Sequence, residues 1–106
     1  MELTETQKTS LIGAMGVTGV HPHIAIRNFI ADEGLQGQIT PREARQQTMQ
    51  THRPQMMEVN GTKFIERYAN NVCGLTGLTV EQCDSIIAAL QDAEVLIEAK
   101  KAELQA

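Results

Sequence analysis

The feature that most constrains this chain is its C-terminal segment, residues 80–104, which contains neither proline nor glycine. Apolar residues recur in it every three or four positions, the spacing of one face of an α-helix. Thr79 and Gln82 form a capping box, in which each side chain can satisfy a free backbone N–H group of the other residue. The segment therefore predicts a long C-terminal helix. Its apolar stripe consists of Cys83, Ile86, Leu90, Ala93, Ile97 and Leu104.

Two more capping boxes predict helix starts nearer the N-terminus. Thr4–Gln7 has the pattern for a helix over about 5–15, and Thr40–Glu43 has it for a helix over about 41–52. The second of these helices has a proline at its first position, where a missing N–H group costs nothing. Helix is thus predicted at both places from local chemistry alone.

A further helix is predicted over about 22–33. Pro22 suits its first turn and Gly34 its end, since glycine readily adopts the left-handed conformation that terminates helices. Ile26, Phe29 and Ile30 would share its buried face.

Residues 55–62 allow two interpretations. Asn60-Gly61 is typical of a tight β-hairpin turn, but it also suits a loop that precedes a helix over about 62–73. We prefer the loop and helix, because an isolated two-stranded hairpin is only marginally stable. The residues that recur at helical spacing are Phe64, Ile65, Tyr68, Ala69 and Val72.

These segments predict an all-α fold, a small bundle of four to five helices with a long C-terminal helix. The length of 106 residues is that of a single domain, so we expect one helical domain over 1–106. Aromatic residues make up only 3% of the chain, so the core must be built mainly from aliphatic side chains, which suits packed helices.

The net charge of −4 arises entirely from residues 56–106, because residues 1–55 carry equal numbers of acids and bases. An acidic chain is a poor general binder of nucleic acid. The first residues lack the basic and apolar regions of a secretory signal, and the apolar runs are too short to span a membrane. Two cysteines do not form a disulfide framework. We therefore expect a cytoplasmic protein with no membrane partner.

The C-terminal helix also carries apolar residues outside its main stripe, namely Val95 and Leu96. A second copy of the chain in a homo-oligomer would explain a helix that is apolar on two sides. The alternative is a core helix that two neighbours of the same chain contact. Glu94 and Lys101 interrupt the stripe, so the sequence does not predict a clean heptad seam. The predicted oligomer interface consists of Leu90, Val95, Leu96, Ile97 and Leu104.

The helix over 41–52 is unusual in having almost no apolar residues. Arg42, Arg45 and Gln46 share one face with His52 and Arg53. Arginine has the planar donor geometry that binds phosphates and carboxylates. The segment predicts a binding site for nucleic acid, a phosphorylated small molecule or another protein's acidic surface; the alternative is a solvated surface. The predicted ligand-binding residues are Arg42, Arg45, Gln46, His52 and Arg53.

Catalytic and metal sites are not expected. Cys73 and Cys83 lack the close spacing of zinc ligands, and Cys83 lies on the apolar stripe, where we expect it to be core. His21 and His23 flank a proline without further ligands nearby. No pair of carboxylates has surroundings that would separate their pKa values, and no cofactor motif is present. The chain is not expected to be an enzyme.

Two functions follow as hypotheses. The first is a non-enzymatic assembly protein of the adaptor, inhibitor or viral accessory type, which binds another protein or itself through helical surfaces. The second is a protein that binds nucleic acid or a nucleotide through the arginine-rich helix.

Overall fold

The computed structural model describes residues 1–106 and contains helices and no strands. This confirms the predicted all-α class, including the long C-terminal helix. The five helices are α1 (Glu5–Met15), α2 (Pro22–Asp32), α3 (Pro41–Thr51), α4 (Arg53–Cys73) and α5 (Val80–Gln105).

All three predicted capping boxes are present. At the start of α1, the Gln7 N–H donates to Thr4 Oγ1 at 3.1 Å, and the Thr4 N–H donates to Gln7 Oε1 at 2.8 Å. The same reciprocal pair opens α3 at Thr40–Glu43 and α5 at Thr79–Gln82. Each box satisfies two backbone donors that lack a partner within the helix.

Residues 55–62 form neither a hairpin nor a loop, because they lie inside α4. The predicted helix over about 62–73 is present as the second part of α4. Between α3 and α4, only His52 leaves the helical conformation; its φ and ψ are −131° and 47°. α4 starts directly after it. Pro54 falls in the first turn of α4, where proline is tolerated. Burial of Met56 and Val59 on one face offsets the low helix propensity of Asn60-Gly61.

The chain forms two compact units, Met1–Ala69 and Asn70–Ala106. Unit 1 holds all of the buried apolar side chains. The single-domain assignment stays a prediction, because it concerns cooperative folding. The core of unit 1 consists of Leu3, Leu11, Met15, Ala25, Ile26, Phe29, Ile30, Leu35, Ile39, Ala44, Met56 and Val59.

The polar helix α3 joins the core of unit 1 through two small residues. Ala44 and Thr48 are fully buried, and the Thr48 hydroxyl donates to the backbone oxygen of Ala44 at 3.1 Å. Beside them, Gln47 accepts from the Leu3 N–H and donates to the Met1 carbonyl, both at 2.8 Å. A helix with few apolar residues therefore still fixes the N-terminal segment.

Unit 2 contains no buried residue. Val72, Leu78, Cys83 and Ile86 are half-buried, and the rest of the unit is exposed. The prediction that Cys83 is a core residue is therefore wrong, because nothing in its unit fully covers the stripe on which it lies. None of the helices combines the length and apolar character needed to cross a membrane.

Candidate functional site

The predicted oligomer interface is exposed at every position. The exposed fractions of its five side chains range from 45% at Leu90 to 74% at Leu96 and Leu104. Large apolar side chains usually leave water on folding, and each contributes about 1.5–3 kcal/mol when it does so. Within its own unit, α5 therefore presents an apolar surface that no other residue covers.

The spacing of the stripe is that of a coiled-coil seam. Its first five members follow one another at intervals of three and four residues, and one full heptad then separates Ile97 from Leu104. Lys100 occupies the skipped position. Glu94 and Lys101 lie beside the seam rather than on it, so the prediction that they interrupt the stripe is wrong. We call this set the α5 stripe: Cys83, Ile86, Leu90, Ala93, Ile97 and Leu104.

The other two interface residues lie off this stripe. At about 100° per residue, Leu96 flanks it and Val95 falls on the opposite side of the helix. A single partner helix that covers the α5 stripe would therefore leave Val95 in water. The five predicted interface residues do not form one surface.

The predicted ligand-binding residues are likewise divided. Arg42, Arg45, Gln46 and Arg53 are exposed, but His52 is half-buried. His52 Nε2 lies 2.5 Å from Glu5 Oε1, and its Nδ1 lies 2.8 Å from the Thr51 hydroxyl oxygen. His52 thus links the end of α3 to the start of α1, and both of its ring nitrogens are occupied.

Arg45 has a different environment. Its Nη2 donates to Asn60 Oδ1 at 3.2 Å, which holds the guanidinium between α3 and α4. There it forms part of a surface groove of about 420 Å³. Arg42, Gln46, His52 and Arg53 do not line this groove, so Arg45 is its only member from the predicted set. We call it the basic groove; its polar and aromatic lining includes His21, Arg45, Asn60, Lys63, Phe64 and Arg67.

Lys63 lines the basic groove but is only 7% exposed. Its ammonium group donates to the carbonyl oxygens of Val17 and Val20, in the loop between α1 and α2. The nearest carboxylate, Glu66, is 3.8 Å away and itself accepts from the Gly19 N–H. A buried cation therefore anchors this loop, and only one carboxylate lies near it.

Sequence reasoning missed Lys63, Phe64 and Arg67 as neighbours of Arg45. The signal was present, because Asn60, Lys63, Phe64 and Arg67 follow the helical spacing i, i+3, i+4 and i+7. It was hidden by the assignment of Asn60-Gly61 to a loop. Had α4 been extended back to Arg53, these side chains would have shared one predicted face.

The pKa of the Glu43 carboxyl group is clearly shifted. Hydrogen bonds from the Thr40 side chain, and then from the Thr40 backbone, lower the pKa of Glu43 below its ordinary value of 4.5. This is the consequence of the capping box at α3. Cys73 and Cys83 are free thiols, and no three metal-binding side chains lie close enough together to hold an ion.

Comparison with models of known protein families, with curated proteins and with solved structures finds no match to this chain. Its function must therefore be argued from the α5 stripe and the basic groove.

Proposed function

We propose that this chain is a non-enzymatic assembly protein whose α5 pairs with α5 of a second copy. The observation that carries the proposal is the exposure of the α5 stripe at Leu90, Ile97 and Leu104, along a helix with no buried residue. A helix in a protein gains most of its stability from packing of its apolar face. A second copy supplies a partner of matching length and pattern.

The charges of α5 favour an antiparallel pair. Its first five turns, up to Glu98, contain carboxylates and no base, whereas Lys100 and Lys101 lie near its end. A parallel pair would place the carboxylates of one helix beside those of the other. An antiparallel pair places the two lysines beside Glu81 and Asp84 of the second copy, which is favourable.

The side-chain sizes indicate one register for this pair. When Ile86 of one helix faces Ile97 of the other, Leu90 faces Ala93, so a large side chain meets a small one in the central layers. The same register places Lys100 beside Cys83, where its long side chain can reach the adjacent Asp84 of the second copy. The two helices then overlap along nearly their whole length.

The pairing is tested by light scattering during size-exclusion chromatography. We expect the wild-type chain to elute as a pair, and the variant with Leu90→Glu and Ile97→Glu to elute as a single chain, because two charges on the seam cannot be buried. The matched control is Val95→Glu, which adds a similar charge on the opposite side of α5. A wild-type single chain, or a pair that survives both seam charges, would disprove the proposal.

The direction of pairing is tested with Cys83 as the only cysteine, in a Cys73→Ser variant. In the antiparallel register the two copies of Cys83 lie about 25 Å apart, given a rise of about 1.5 Å per residue. A disulfide requires their Cα atoms within about 7 Å. Mild oxidation should therefore leave the pair uncrosslinked. Rapid formation of a Cys83–Cys83 disulfide would indicate a parallel pair.

A further inference from the structure

We infer that the basic groove of unit 1 binds a nucleotide, with the phosphate at Arg45 and Arg67 and the base against Phe64. The groove is formed by the start of α2, by α3 and by one face of α4. The inference does not depend on α5, whose residues lie in the other unit.

The lining of the groove favours an anion, because it contains basic side chains and no carboxylate. Arg45, Lys63 and Arg67 line the groove and no carboxylate does, although the chain as a whole is acidic. Arg45 is already positioned by Asn60, so less side-chain entropy is lost when it binds a ligand. Guanidinium groups bind phosphate oxygens through paired hydrogen bonds, which are stronger than those between neutral groups.

His21 adds a donor at the rim of the groove. Its Nδ1 accepts from the His23 N–H at 3.1 Å, so the neutral ring carries its proton on Nε2. Nε2–H has no partner within the chain and can donate to a phosphate or a hydroxyl group. The same contact makes His21 the N-cap of α2, which fixes the ring in place.

The buried charge of Lys63 is a second argument for an anion. Its ammonium group is removed from water, and the single nearby carboxylate, Glu66, is also engaged by Gly19. A buried cation is costly unless negative charge compensates it. Because Lys63 also lines the groove, a phosphate bound there would add negative charge near it.

The base site rests on an exposed aromatic pair. Phe64 and Tyr68 stack with their ring centroids 6.0 Å apart and their planes 12° from parallel. Phe64 lines the groove and is 65% exposed, which is unusual for a phenyl ring. A nucleobase can continue this stack, as bases do on aromatic side chains of proteins that bind single strands.

The space available fits a single nucleotide. A groove of about 420 Å³ lies at the lower end of the sizes typical of small-molecule sites. Gly61 lines it, and nothing lies within 4 Å of the position that a side chain there would take. The ligand can therefore approach the α4 backbone. The nucleotide is either a free metabolite or one unit of a single-stranded nucleic acid.

The experiment is an NMR titration of the full chain with adenosine monophosphate, with inorganic phosphate and with a short oligodeoxythymidylate. We expect saturable chemical-shift changes at the residues of the basic groove. The affinity should fall as salt rises from about 50 to about 200 mM. The variant with Arg45→Ala and Arg67→Ala should lose at least about tenfold in affinity for all three probes. Arg42→Ala, also an exposed arginine of α3 but outside the groove, is the matched control and should bind as wild type.

Phe64→Leu separates the two halves of the site. It should weaken binding of adenosine monophosphate at least about fivefold, which is the effect of losing a stacked base, and leave inorganic phosphate unchanged. Tighter binding of the oligonucleotide than of the mononucleotide would identify nucleic acid as the source; equal binding would identify a free nucleotide. Circular dichroism checks that each variant retains its helices.

Three results would overturn the inference: no saturable binding of any nucleotide probe, an equal loss with Arg42→Ala, or an equal loss of phosphate and nucleotide with Phe64→Leu. The titration is repeated on the variant with Leu90→Glu and Ile97→Glu. Retained binding there would show that the basic groove functions even if α5 does not pair.

Discussion

The two units of this chain start their helices with the same capping boxes, but they differ in how far their side chains are buried. α3 in unit 1 and α5 in unit 2 both open with a threonine capping box. α3 has almost no apolar residues, yet Ala44 and Thr48 are fully buried. α5 carries a regular apolar stripe, yet none of its residues is buried. Hydrophobic pattern and burial are therefore separate properties in this molecule.

The two helices show that the sequence of a helix does not by itself determine whether other elements bury its apolar side. Unit 1 has four helices or parts of helices that bury their apolar sides against one another, so even a polar helix finds a place at the edge of the core. Unit 2 contains one long helix and a single turn of another. Too few elements are present there to enclose a core.

The largest expected effect comes from removing a core side chain of unit 1. Leu11 is fully buried, so Leu11→Ala should lower the free energy of unfolding by about 2–5 kcal/mol. The counterpart in unit 2 is Ile97→Ala, which should change stability only at concentrations where chains pair. Thermal unfolding at several protein concentrations measures both. A concentration-independent loss of the same size for Ile97→Ala would contradict the distinction between the units.

The next effect concerns the one buried charge of unit 1. Lys63→Met should lower stability by about 1–3 kcal/mol, because the carbonyls of Val17 and Val20 lose their donor. Arg42→Met changes an exposed cation of α3 that lies outside the basic groove and serves as the control, with an expected effect near zero. Chemical denaturation measures the difference. Equal stability of the two variants would mean that the lysine contacts contribute nothing.

A smaller effect, of opposite sign, is expected at Gly61. This glycine lies in the middle of α4, and a Cβ atom there would meet nothing within 4 Å. Gly61→Ala should therefore raise stability by about 0.5–1 kcal/mol. Gly19→Ala is the contrasting variant, since Gly19 has a φ of +80° and any side chain there is strained. Stabilisation by both changes, or by neither, would show that the backbone argument fails.

The smallest effect is a pH dependence that only the α3 box, of the three capping boxes, can have. Because the pKa of Glu43 is lowered in the folded chain, its contribution is fully present above about pH 4.5 and is lost as pH falls through the folded pKa. Gln82 holds the same position in the α5 box and does not titrate. In Glu43→Gln, the free energy of unfolding should therefore fall less steeply as pH drops below about 4.5 than it does in the wild type. An unchanged acid profile would assign that pH dependence to other carboxylates.

Much of the fold could be predicted because its signals are local. A threonine and the residue three positions later need only each other, so the starts of α1, α3 and α5 were found correctly. The region of Asn60-Gly61 was predicted wrongly because its helical state depends on Met56 and Val59 packing into unit 1. That packing is a tertiary effect, which outweighs propensity.

The candidate sites could be predicted less well for the same reason. The α5 stripe is visible in the sequence because it belongs to one helix. The basic groove joins His21, Arg45 and Arg67 from three separate elements, and His52 contacts Glu5 although 47 positions separate them. One arginine of the predicted set of five lines the groove. Periodicity describes one helix at a time and contains no information on which helices meet.

The contact between Lys63 and the loop after α1 has a consequence for how the chain folds. Val17, Gly19 and Val20 lie more than 40 positions before the side chains that hold them. Contacts so distant along the chain form late, after the entropy of closing the intervening segment has been lost. We therefore expect α1 and α2 to pair early and their connecting loop to reach its final shape only when α4 docks. Hydrogen exchange at the Gly19 amide, which donates to Glu66, would therefore time the docking of α4.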